Sequence, residues 1–87
     1  MGTFTAQWED EDNNRVVDLA VRYQLDSAEI LSVTPAAITF VDELSREATR
    51  RIAIHTEKGR RMLRRQFMRS VGLDWLQSEV NAGVALV

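Results

Sequence analysis

Apolar and polar residues alternate from Thr3 to Trp8, with Phe4, Ala6 and Trp8 on one side. That period of two marks a half-buried strand. Glu9-Asp10-Glu11-Asp12-Asn13-Asn14 follows, six polar residues ending in two that tolerate left-handed backbone, which reads as a hairpin loop. The alternation resumes from Arg15 to Leu25: Val17, Leu19, Val21, Tyr23 and Leu25 share one face, and Val16, Asp18, Ala20, Arg22 and Gln24 share the wet one. Asp26-Ser27 turns into an apolar, β-branched third strand at Ala28–Val33. The single proline, Pro35, cannot donate to a central ladder, so a bend is expected there before a fourth strand at Ala37–Val41. Asp42-Glu43-Leu44-Ser45-Arg46 then closes a hairpin into a fifth strand at Ala48–His55, with Ile52 and Ile54 pointing inward.

The period changes after His55. Thr56 is a suitable N-cap and Glu57 places a carboxylate in the first turn. At 100° per residue, Leu63, Phe67 and Val71 fall on one stripe flanked by Met62, while Arg60, Arg61, Arg64, Arg65 and Arg69 are expected on the opposite side. Gly59, in the first turn, permits close approach to the sheet. Gly72 supplies a stop near residue 70. Asp74 caps a short second helix in which Trp75 or Leu76 packs with Val80, ending at Asn81-Ala82-Gly83. Val84-Ala85-Leu86-Val87 is an apolar tail that frays, adds a strand, or is buried in a second subunit.

These elements predict one α+β domain over residues 1–87. Its architecture is an antiparallel β-meander of about five strands followed by an amphipathic α-helix at about 57–70 and a short second helix. The apolar stripe of the first helix is expected to cover Leu19, Val21, Tyr23, Ile52 and Ile54. Curling of the strands into a small barrel is the structural alternative.

Charge sharpens the picture. The chain of 87 residues has a formal net charge of −2, but residues 1–45 hold two arginines against nine acids and residues 46–71 hold nine cations against two acids. A near-neutral total therefore conceals a strong dipole. Cysteine is absent, which excludes disulfides and thiolate metal sites and fits a cytoplasmic location. The N-terminal stretch lacks the basic and apolar regions of a signal peptide, and no apolar run approaches the ~20 residues of a membrane helix.

The candidate site is the run Lys58 to Arg69. Arg60, Arg61, Arg64, Arg65, Met68 and Arg69 are the expected partner-binding residues, with Arg50, Arg51 and Lys58 as an extension. Arginine offers a planar fork of donors that fits carboxylates and phosphates alike. A methionine among arginines favours a contact surface. The competing view is a solvated face, or one neutralised by the acidic hairpin of the same or a second copy.

Other chemistry is poorly supported. Glu9–Asp12 lacks the alternating ligands and central glycine of a calcium loop. His55 is the sole histidine and has no nucleophile to serve. Trp8 reads as a packing residue and Trp75 as packing or a dimer contact, not as base stackers. The expectation is a small non-enzymatic interaction or regulatory module, without metal or cofactor, that binds an acidic protein surface through the arginine-rich face. A nucleic-acid-binding regulator using the same face is the alternative. An enzyme ranks last, and two-fold pairing of acidic hairpin with basic helix makes a homodimer the expected oligomer.

Overall fold

A computed structural model describes residues 1–85, with side chains described through Gly83. The element order is β1 (Gly2–Asp10), a 3₁₀ turn (Glu11–Asn13), β2 (Arg15–Tyr23), β3 (Ile30–Val41), β4 (Ala48–Ala53), α1 (Glu57–Ser70) and α2 (Gly72–Ala85). The strands form one antiparallel sheet in the order β1-β2-β3-β4, so the fold is α+β and the sheet is open. Both helices pack on the same face, since Leu63, Phe67, Leu76 and Val80 join one core with Ala6, Trp8, Val17, Leu19, Val21 and Val33. α1 lies over β3 and α2 over β1.

The meander has four strands, not about five, and does not curl into a barrel. The expected third and fourth strands are one, running through Pro35. The register shifts between Asp18 and Leu19, whose partners are Ala37 and Pro35, so Ala36 is the extra residue of a bulge. The pairing of β4 ends at Ala53 opposite Ala37, with one further bond from the Ile54 N–H to the Ala36 carbonyl (2.8 Å). From Pro35 back to Ile30 only β2 lies alongside. Proline thus sits at a bulge and on an edge, the two settings in which a strand accepts it. Ala28, expected to open the third strand, instead adopts φ 60° in the turn, and the strand starts at Ile30.

The first hairpin forms as its alternation implies, with Phe4 opposite Val21, Ala6 opposite Leu19 and Trp8 opposite Val17 in unbroken register. Asn14 supplies the left-handed residue of the turn at φ 50°. Arg15 fastens this hairpin to α1. Its Nε donates to Asp10 Oδ2 (2.8 Å), its Nη2 donates to Gln66 Oε1 (2.6 Å), and its guanidinium stands 5.9 Å from the Trp8 ring centroid.

Thr56 caps α1, its Oγ1 accepting from the Gly59 N–H at 3.0 Å. A Cβ on Gly59 would meet Thr56 Oγ1 at 2.9 Å and Ile54 Cγ2 at 3.3 Å, so glycine allows the first turn to lie against the end of β4 without disturbing its own cap. Leu63 and Phe67 are buried, but Val71 is exposed because it caps the helix. Gly72, at φ 72°, then redirects the chain at once into α2.

α2 is as long as α1, at 14 residues, so the short second helix is also corrected. It continues through Asn81-Ala82-Gly83 because Leu76 and Val80 are docked on the sheet and nothing interrupts the turn. Of the expected apolar tail, Val84 and Ala85 extend this helix, while Leu86 and Val87 lie outside the described residues. The core is centred on β1, β2 and β3. Ile54 and Tyr23 pack at its margin, and Ile52 is only half-buried.

Candidate functional site

The buried stripe of α1 determines which of its cations reach solvent. With Leu63 and Phe67 turned to the sheet, Lys58, Arg61, Arg65 and Arg69 are exposed, and Met68 lies among them at 41% exposure. Arg60 and Arg64 do not stand opposite the stripe as expected; both flank it and are half-buried. Four residues carry a helix 400°, not 360°, so the apolar and basic rows share an edge. Arg64 donates from Nε to the Val33 carbonyl at 2.9 Å on the free half of β3. The Arg60 Nε is buried without a partner.

Arg50 and Arg51 cannot act together. Neighbours on a strand point to opposite faces. Arg50 pairs in register with Phe40 and places its guanidinium 5.5 Å from that ring, on the helix side. Arg51 lies on the other face of the sheet. There it bridges Asp18 Oδ2 at 2.7 Å and approaches Thr39 Oγ1 at 3.3 Å. This bridge explains why Asp18, expected on the wet face, is only 8% exposed. Arg51 is thereby removed from any surface that includes α1.

Self-neutralisation of the helix is slight. Among the described residues the ion pairs are Arg15–Asp10, Arg51–Asp18 and Arg61–Glu57. The last spans 4.0 Å with both side chains about two-thirds exposed, a geometry worth no more than a few tenths of a kcal/mol. Arg69 shares a hollow of about 330 Å³ with Asp10, Asp12, Asn13 and Gln66, but forms no ion pair there. The acidic hairpin therefore reaches the C-terminal end of α1 and leaves Arg61 and Arg65 to solvent.

Apolar surface adjoins this basic face. Met68, Leu73 and Leu31 are exposed, and they line a groove of about 340 Å³ with Arg64 and the Ile30–Val33 stretch of β3. Met62, expected beside the buried stripe, is 53% exposed on the basic side. His55 is exposed between β4 and α1. No three His, Asp or Glu side chains among the described residues converge as a metal-binding group. Likewise, no described helix is long and apolar enough to cross a membrane.

A second surface is not legible in the sequence. A cavity of about 800 Å³ runs along β1 from Phe4 to Glu9 and is walled by Val71, Trp75 and Glu79. The i, i+4 spacing of those three residues was visible, but their placement beside a strand edge was not.

Comparison with family models, curated proteins and solved structures finds no match to this chain.

Proposed function

We propose that this chain is a small non-enzymatic interaction module that docks an acidic protein surface on the outer face of α1. The observation that carries the reading is the exposure of Lys58, Arg61, Arg65 and Arg69 on one helix face, with the 4.0 Å approach of Glu57 as their one intramolecular ion pair among the described residues. Arg61 and Arg65 form its centre and receive carboxylates as planar forks. Met62 and Met68, exposed among the arginines, favour a protein over a phosphate backbone, because thioethers adapt to apolar contours and gain nothing from phosphate. Arg64, bonded to Val33, borders the surface. Arg50 lies on the same side of the sheet and Arg51 has no part in it.

A fluorescence titration with a labelled polyglutamate peptide tests this reading, run beside a DNA duplex and a single-stranded RNA at low and physiological salt. Polyglutamate is expected to bind more tightly than either nucleic acid and to weaken as salt rises. The double change Arg61→Glu and Arg65→Glu is expected to reduce that affinity at least about tenfold, or about 1.4 kcal/mol. Its unfolding free energy should remain within about 1 kcal/mol of the parent, since both residues are exposed and the cost is limited to like-charge i,i+4 pairs running from Glu57 through the two substituted positions. Tighter binding to duplex or RNA replaces the acidic partner with nucleic acid. No binding to any of the three removes the basic face as a site.

A further inference from the structure

The sheet has three unpaired stretches of edge, and they are guarded unequally. β4 is six residues long, carries Arg50 and Arg51 side by side, and its pairing to β3 is irregular at Phe40/Val41. The free half of β3 contains Pro35, and the Arg64 Nε donates to its Val33 carbonyl. Charge, proline, irregular pairing and short length are the devices that stop edges from pairing with another chain. β1 is the least guarded, its charges confined to Glu9 and Asp10 at one end. It is nine residues long, runs in unbroken register with β2, and has no charged residue or proline from Gly2 to Trp8. Beside it lies the cavity of about 800 Å³ with Phe4, Trp8, Val71 and Trp75 in its walls. Trp8 is 2% exposed, and its indole Nε1 has no hydrogen-bond partner.

We infer that β1 is a self-association edge: it pairs antiparallel with β1 of a second copy about a two-fold axis through Thr5, joining two four-stranded sheets into one of eight strands. Directly opposed residues in a sheet share a face, so the axis must pass through a residue. Thr5 sets Phe4 against Ala6, a large side chain against a small one, and Trp8 against Gly2, whose side-chain space the Tyr23 ring occupies. It also aligns Thr3, Thr5 and Gln7 as a polar row on the face away from the helices. The antiparallel sense carries the acids Glu9–Asp12 of the two copies to opposite ends of the seam, whereas a parallel pairing would stack them. An isologous interface of this kind is self-complementary and closed. It is separate from the α1 face and does not depend on what that face binds.

Sedimentation of the full chain, together with a cysteine-substituted variant, tests the pairing. The parent is expected to be a concentration-dependent dimer. Thr5→Lys, on an exposed position facing its own copy across the axis, is expected to weaken the dimer by up to about fivefold through like-charge opposition while leaving the fold unchanged. The sequence has no cysteine, so Thr5→Cys gives a single thiol. Opposed Cα atoms about 4.5–5.5 Å apart across the seam lie within disulfide reach, and oxidation is expected to yield a cross-linked dimer. Ala20→Cys, on an exposed position of β2, is the control that should not cross-link. A parent that stays monomeric at about 1 mM, where a millimolar dissociation constant registers, overturns the inference. So does a dimer that ignores Thr5→Lys and leaves Thr5→Cys uncross-linked. β1 amides that gain exchange protection only on addition of a different protein overturn it too.

Discussion

Replacing Phe67 with alanine tests the arrangement on which the basic face depends. Phe67 is 0% exposed and meets two indoles edge-on, Trp8 at 5.6 Å and 71° and Trp75 at 6.1 Å and 67°. It is the point where α1, α2 and β1 converge. Truncating a buried phenylalanine removes transfer free energy and leaves a cavity, together about 3–5 kcal/mol, and the two aromatic pairs favour the upper end. A domain of 87 residues has a total stability of about 4–13 kcal/mol, so the substitution takes a large share of it. Urea titration followed by tryptophan fluorescence reads the change, since both indoles touch the deleted ring. With a slope of about 1–1.5 kcal/mol per molar urea, the midpoint should fall by about 2–5 M. Met62→Ala, at a site 53% exposed on the same helix, should move it by no more than about 0.5 kcal/mol. A loss below about 1 kcal/mol for Phe67→Ala, or equal losses for the two variants, would mean that α1 is seated on another face. The arginines would then not be where the docking proposal needs them.

Two further outcomes follow from ionised side chains on the sheet. Arg51→Ala leaves the carboxylate of Asp18 without its 2.7 Å partner, when its Oδ1 already lacks one, and should cost about 1–3 kcal/mol by thermal or urea unfolding; adding Asp18→Asn should recover part of that loss, and simple additivity of the two changes would show that the bridge is energetically idle. Asp42, in the β3–β4 turn, accepts from the Ser45 N–H at 2.9 Å and the Leu44 N–H at 3.0 Å, and these bonds hold its carboxyl below the usual carboxylate range. A depressed native value means that its contribution is full above the unfolded pKa of about 3.9 and disappears as the pH falls through the native one. An NMR titration should therefore find Asp42 protonating below the usual carboxylate range on acidification, and Asp42→Ala should remove its share of the acid-side change in hairpin stability.

Local order along the chain was enough to identify the first two strands and α1, and to say which side of each is apolar. Alternation at Phe4-Ala6-Trp8 and Val17-Leu19-Val21 identified two strands and their inner faces, and Thr56 with Leu63 and Phe67 located α1 and its start. These are local facts, since a pleat or a helical turn repeats within a few residues. What lies beside each element depended on how the whole chain folds. Pro35 looked like a boundary because a proline in a fully paired strand loses a ladder bond, but β4 ends before it and the bulge at Ala36 accommodates it. Arg50 and Arg51 looked like one basic pair until the pleat sent them to opposite faces and Asp18 captured the second. Arg60 and Arg64 joined the margin of the core because a helix turns past its own stripe. That β1 is the least guarded edge was invisible for the same reason: side-chain period reports the two faces of a strand, whereas an open edge is a property of backbone groups and of whichever strand does or does not come alongside.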